Sequence, residues 1–324
     1  MSLTGFLWVL IKVAIVVNVV LLHVAYAVYF ERKVIGHMQA RLGPMRVGFH
    51  GLLQPIADFV KLFFKEDIIP SQSDKPLFFF APVLGVITAL ASLAVIPLWE
   101  SFSLVNLDIG ILYILALSSV GAYSIILAGW ASNSKYSFLG GVRSSAQVIS
   151  YEIAMGLSLV GVMMIAGSTN LAEIVNAQSS YPFILVQPVA FFVFMTAAFA
   201  ETNRVPFDLP EAETELVAGY FTEYSGMRFG LFFMAEYTGM FIMSALAAVC
   251  FLGGWRGPNF WIFSHVPNIV WFLLKVYALI FFYYWVRATL PRYRYDQLMS
   301  LGWKLYIPLA LANIVITAIV KLLI

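Results

Sequence analysis

Charge is what this sequence has least of. Of its 324 residues, 11% are Asp, Glu, Lys or Arg, against roughly 25% in a soluble domain. That shortage, with 61% hydrophobic residues and a mean hydropathy of +0.88, excludes an ordinary soluble fold. There is one cysteine, Cys250. One thiol cannot make an internal disulfide or hold an iron–sulfur cluster, and within an apolar run it is expected as a small core residue. The four histidines, His23, His37, His50 and His265, lack metal-ligand or paired haem spacing. Phosphate-binding, dinucleotide-binding and Ser/His/Asp signatures are missing. So are the alternating ten-residue segments of a membrane β-barrel.

What the chain does have is apolar runs of about twenty residues, long enough to cross a bilayer as helices. Eight are expected, near 5–30, 77–99, 108–131, 146–167, 183–201, 229–252, 266–287 and 301–323. The fold class is an all-α polytopic membrane protein, with 1–324 as a single membrane domain. The first run ends in "ERK" rather than at a small-residue cleavage site, so it reads as a span. Fifteen of 19 basic residues fall in or beside the connections after spans 1, 3, 5 and 7. By the positive-inside rule those connections face the cytoplasm, or the matrix of an organelle, and both termini face the other side. The long loops 31–76, 132–145, 202–228 and 288–300 are then all cytoplasmic.

In the first loop, "GLLQPIADFVKLFFKED" has helical periodicity over about 51–66. Leu52, Ile56, Phe59, Val60 and Phe63 share one face, opposite Asp58, Lys61 and Lys65. It is too short and too charged to span, so it is expected to lie in the interface. A membrane anchor and the wall of a lateral opening for a lipid-soluble ligand both fit. The preceding "ARLGPMRVGFHG" is a bend with two arginines, suited to setting orientation or to clamping a polar head group.

Carboxylates gather where charge is otherwise avoided. Glu152 and Glu236 lie inside spans 4 and 6, where a charge costs about 2.5–3.5 kcal/mol. Each serves either as a neutral helix–helix hydrogen bond or as a proton relay. Five of the 17 acids sit in "ETNRVPFDLPEAETE": Glu201, Asp208, Glu211, Glu213 and Glu215, with Glu223 eight residues on. Glu201 and Arg204 have i, i+3 spacing, suited to a pair on one helical face. Pro206 and Pro210 break the helix. Phe207, Leu209, Leu216, Val217, Tyr220 and Phe221 are too apolar for a solvated loop. A folded, acid-lined funnel is expected, with close carboxylates titrating as a coupled set. Gly226 and Gly230 form a GxxxG helix-packing signal.

Four long stretches carry a resemblance. They are "ERKVIGHMQARLGPMRVGFHGLLQPIADFVKLFFKED", "WASNSKYSFLGGVRSSAQVISYE", "AETNRVPFDLPEAETELVAGYFTEYSGMRFGLFFMAEY" and "RATLPRYRYDQLMSLGWK". In this order, and over essentially the whole chain, the sequence resembles the quinone-site membrane subunit family of respiratory complex I, the proton-pumping NADH–quinone oxidoreductase. The resemblance implies a subunit of that enzyme with no redox cofactor of its own. Quinone is the substrate; flavin and iron–sulfur clusters belong to partner subunits. The implied partners are the hydrophilic-arm quinone-site and iron–sulfur subunits, neighbouring membrane-arm subunits and lipid, without nucleic acid. The implied location is a bacterial inner membrane, or its mitochondrial counterpart.

The resemblance also implies residue roles. Glu31, Arg32, Arg41, Asp58, Arg204, Arg287, Arg292 and Arg294 match positions in or near the quinone chamber. Glu152, Glu201, Asp208, Glu211, Glu213, Glu215, Glu223 and Glu236 match the proton-coupling carboxylates. It also moves the amphipathic helix to the wall of the quinone opening. Two other readings remain: the related subunit of a membrane-bound hydrogenase-type complex, and a structural anchor between two arms. A free-standing antiporter is disfavoured, because Lys275 is the one central lysine and no inverted repeat is visible.

Overall fold

A computed structural model describes residues 3–100, 102–209, 218–257 and 266–323. Apart from an isolated bridge between Trp99 and Phe102, all described secondary structure is helical. We number the helices α1 (Leu3–Met38), α2 (Gln54–Phe64), α3 (Lys75–Leu93), α4 (Gly110–Ala131), α5 (Lys135–Ala166), α6 (Leu171–Ala177), α7 (Pro188–Glu201), α8 (Gly226–Phe251), α9 (Asn268–Thr289), α10 (Tyr295–Leu301) and α11 (Ile307–Leu323). A π turn at Gly302–Tyr306 joins α10 to α11 in one continuous rod. Among the described residues, seven helical segments are long and apolar enough to cross a membrane. They are α1, α3, α4, α5, α8, α9 and the α10–α11 rod.

Large apolar side chains cover the outside of the bundle, including Trp8, Leu22, Phe30, Trp130, Trp285 and Ile316. A soluble protein could not hold such a surface in water. Inside, α7 and α8 form the centre. Val193, Phe194, Ala198, Ala245, Leu246 and Ala248 are wholly buried there. The expected fifth span is shorter than its apolar run suggests. It is α7, with 14 residues after the 3-10 turn Phe183–Leu185. Fourteen residues rise about 21 Å, against a hydrocarbon core of about 30 Å.

Two loop boundaries are corrected. The connection expected at 132–145 is mostly helix, because α5 begins at Lys135. Its first turns bury Ser137, Gly140, Gly141, Ser144 and Val148 as a stripe of small side chains. A Cβ on Gly140 would lie 2.7 Å from the Cα of Gly219. The helix there is fixed by close backbone approach, a force that a hydropathy reading does not register. The expected loop from residue 31 is also helical at first, since α1 carries "ERKVIGHM" to Met38. The GxxxG signal is realised between α8 and α2. A Cβ on Gly226 would meet the Lys65 carbonyl oxygen at 3.2 Å, and one on Gly230 would meet Leu62 Cδ1 at 3.4 Å.

Helix α2 falls within the expected range and displays its apolar face outward. Ile56, Phe59, Val60 and Phe63 are all exposed. An ion pair of 3.0 Å between Arg228 of α8 and Asp67 fixes its C-terminal end. The Arg228 guanidinium also lies 3.7 Å from the ring centre of Phe79. Nearby, Phe78 stacks on Tyr224 at 4.1 Å, and burial raises the Tyr224 phenol above its ordinary pKa. Cys250 is wholly buried, as expected. Lys275 donates to the carbonyls of Leu252, Gly254 and Arg256 at 2.6, 2.9 and 2.6 Å. That closes the C-terminal end of α8, where carbonyls lack helical partners.

Candidate functional site: a polar cavity joined to buried carboxylates

A polar cavity of about 650 Å³ opens between the C-terminal half of α1, the 39–44 turn, α8 and α9. Glu31, Arg32, Arg41, Tyr237 and Arg287 line it, with Val28, Ile35 and Phe233 as apolar walls. Glu31 is 3% exposed. Its carboxylate takes a hydrogen bond of 2.7 Å from the Tyr237 hydroxyl and pairs with Arg287. Arg204 approaches the same carboxylate at 3.5 Å. Burying an ionised carboxylate is tolerable only with this degree of pairing.

Arg204 has a second partner. Its Nη2 lies 3.8 Å from Glu236 Oε2, and its guanidinium stacks 4.2 Å over the Tyr237 ring. Glu236 also accepts from Tyr220 at 3.1 Å. The spacing-based pairing of Arg204 with Glu201 therefore gives way to pairs across the bundle. The local cause is the end of α7. Asn203 adopts φ 50°, which turns the chain out of the helix before Arg204. Gln147 of α5 holds that turn, donating to the carbonyls of Ala200 and Phe207 at 2.6 and 2.7 Å.

A second cavity of about 130 Å³ lies among α3, α4, α5, α7 and α8. Glu201 and Glu236 line it with Thr88, Ser92, Ser118, Ser124 and Tyr220. Glu152 stands just behind. Ser118 bonds it at 3.0 Å and Ser119 more closely still. Glu236 is thus shared between the Arg204 pair and the second cavity. Ion pairs link Arg287, Glu31, Arg204 and Glu236; Glu236 and Glu201 line one cavity with Ser118, which bonds Glu152.

Around the upper cavity, Arg32 pairs with Asp58 at 2.9 Å, tying α1 to α2. Arg41 is exposed and bonds Gln39 at 2.7 Å. Asp208, 3% exposed, pairs with Arg292 at 3.1 Å. Beside it, the Tyr293 amide donates to the Pro206 carbonyl at 3.1 Å, and the Phe207 and Tyr293 rings stack. This clasp joins the start of the acidic loop to the 290–294 segment. Arg294 stands apart, exposed and paired with Asp296 at 3.2 Å. Glu223 is half-buried on the turn before α8. Glu211, Glu213 and Glu215 lie outside the described residues.

Sequence reasoning missed Gln147, Ser118, Ser119 and Tyr237, and counted Tyr220 only as an apolar loop residue. Each is an uncharged polar group inside or against a span. The signal was present in "LSSVG" and "AEYTG", but only charged residues were weighed as costly in the membrane.

These features define a class: an integral membrane protein of packed helices, with a polar cavity joined by ion pairs to Glu236, which lines a second cavity beside Glu201. Sequence similarity narrows the class to a family. Residues 11–318 match the NADH dehydrogenase family. The chain is 54% identical to an NADH-quinone oxidoreductase subunit from Geobacter metallireducens, over 96% of this chain and 94% of that protein. It is 54% identical to an NADH-quinone oxidoreductase subunit from Geobacter sulfurreducens, over 95% and 93%. It is 51% identical to one from Syntrophotalea carbinolica, over 98% and 97%. The chain belongs to the NADH dehydrogenase family.

Proposed function

We propose that this chain is the membrane subunit forming the quinone chamber of a proton-translocating NADH–quinone oxidoreductase in a bacterial inner membrane. The carrying observation is Arg204, which bridges Glu31 at the large cavity and Glu236 at the small one. In this reading the 650 Å³ cavity receives the quinone head group. The outward apolar face of α2 lies in the membrane interface and forms one wall of the opening. The α7 segment is the fifth of eight spans, the whole chain is one membrane domain, and both termini face away from the cytoplasm. Partner subunits of a hydrophilic arm supply the flavin and iron–sulfur clusters, and membrane-arm subunits flank the bundle.

The chamber residues act through charge. Quinone reduction consumes protons beside Glu31, and any change in the charge there alters how strongly Arg204 is held. Because Arg204 is shared, Glu236 feels the change, at an effective dielectric far below that of water. The acidic loop, with Asp208, Glu211, Glu213, Glu215 and Glu223, adjusts or takes up protons. Glu201 and Glu152 carry the effect inward. Arg32, Arg41, Asp58, Arg287, Arg292 and Arg294 shape and orient the chamber.

The test uses sealed vesicles containing the assembled complex, with NADH supplied. Quinone reduction and proton uptake are recorded together for wild type, Arg204→Gln and Glu213→Gln. Loss of both activities in the variants is expected. Wild-type vesicles that reduce no quinone would defeat the reading, as would both variants retaining both activities.

A further inference from the structure

Glu152 does not itself line the small cavity, whereas Ser118 does. Ser118 and Ser119 sit side by side on α4 and share the same two acceptors. Ser118 lies 3.0 Å from Glu152 Oε1 and 3.0 Å from the Leu115 carbonyl. Ser119 lies 3.1 Å from that carbonyl and closer still to Glu152 Oε1. Each hydroxyl has one hydrogen, so each can serve only one acceptor at a time. An ionised Glu152 draws both hydrogens; a protonated Glu152 releases at least one back to Leu115.

On its other side, Ser118 faces the small cavity that Glu201 also lines. Glu201 Oε2 is buried and has no hydrogen-bond partner. The remaining hydroxyls of the cavity are engaged elsewhere. Thr88, Ser92 and Ser124 donate to backbone carbonyls, and Tyr220 bonds Glu236.

We propose that Ser118 and Ser119 form a hydroxyl switch on Glu152, and that Ser118 passes protons between Glu152 and Glu201. The inference rests on the function proposed above. In each passage one O–H bond forms on Ser118 Oγ as a proton arrives from one carboxyl. The hydroxyl's original O–H bond breaks as that proton leaves to the other. Ser118 is neutral before and after, and rotation of its hydroxyl past the Leu115 carbonyl, back to the accepting carboxyl, resets it. Ser119 does not touch the cavity; it is a positioning residue that keeps Glu152 aimed at Ser118.

The test uses the assembled complex in sealed vesicles. Ser118→Ala keeps the Ser119 bond to Glu152, and Ser118→Thr restores a hydroxyl at the site. Two quantities are read: NADH-driven proton uptake, and the infrared carboxyl band of Glu152 after a pH jump, identified by its loss in Glu152→Gln. Ser118→Ala is expected to slow uptake at least about tenfold, the scale of one hydrogen bond to a charged group, and to shift the band. Ser118→Thr is expected to restore both. An unmoved band in Ser118→Ala overturns the proposal, as does a wild-type complex with no Glu152 band. Slowed uptake that Ser118→Thr fails to restore also overturns it, since packing alone was then disturbed. The pH-jump band needs neither NADH nor quinone. Failure of the quinone reading therefore shows separately, as wild-type vesicles without NADH-driven quinone reduction.

Discussion

Glu31 and Glu152 are both carboxylates inside a helix bundle, yet their surroundings differ in kind. Glu31 is gripped by two guanidinium groups and a phenol. Glu152 is held by two serine hydroxyls. Guanidinium groups stay charged at any physiological pH, so their partner is strongly favoured as an anion. Hydroxyls donate to an anion or accept from an acid with little rearrangement. The first region therefore suits a fixed electrostatic junction, and the second offers the carboxyl partners that can either donate or accept. Glu236, paired with Arg204, also lines the small cavity with Ser118, a partner of Glu152.

The sharpest way to break this comparison is Glu31→Gln. It leaves Arg204 and Arg287 facing each other without their shared anion. Removing one partner of a buried ion pair costs about 3–5 kcal/mol. The assembled complex should be scarce in membranes and melt at lower temperature. Normal assembly would mean that the junction is less charged than its geometry implies.

Gly140→Val should come next, at about 3 kcal/mol of overpacking. Its Cβ would sit 2.7 Å from the Gly219 Cα, so the segment leading into α8 must shift. Thermal melting of the detergent-solubilised complex checks this.

Glu152→Gln should cost far less than Glu31→Gln, about 1 kcal/mol, because the carboxamide oxygen still accepts from Ser118 and Ser119. Assembly should be near normal while proton uptake is lost. Equal destabilisation by Glu31→Gln and Glu152→Gln would erase the distinction between the two regions.

Arg292→Gln should have the smallest effect. Its pair with Asp208 is half exposed, with Arg292 39% accessible, and loss of such a pair costs about 1 kcal/mol or less. The clasp has two other fastenings, the Pro206–Tyr293 hydrogen bond and the Phe207–Tyr293 stack. A slightly lower quinone-reduction rate at unchanged assembly is expected. A loss as large as that of Arg204→Gln would place the clasp inside the charged junction.

Particular residues show where the sequence was legible. Glu236 stood out because charge in an apolar chain needs a partner, Glu31, Arg204 and Arg287 came with the family resemblance, and the structure joins all four in one network. Asp208 and Arg292 also meet, though nothing local linked them. The i, i+3 spacing of Glu201 and Arg204 misdirected, because the helix ends between them and Asn203 turns the chain away. The start of α5 was hidden for another reason. Its buried stripe is Ser and Gly, which no hydropathy scale marks as core.

Composition was enough to set the solvent, the helical class and the set of charged residues that had to find partners. Long apolar runs must satisfy their backbone within each segment, and that requirement leaves helices. Who pairs with whom came from the packing of the bundle. Arg204 lies 173 residues from Glu31 in the chain and 32 from Glu236, and local spacing carries no information about such contacts. Packing also made Glu152 answer to hydroxyls. The serines that reach it come from α4, and helix–helix contact, not periodicity, brings them within hydrogen-bond range.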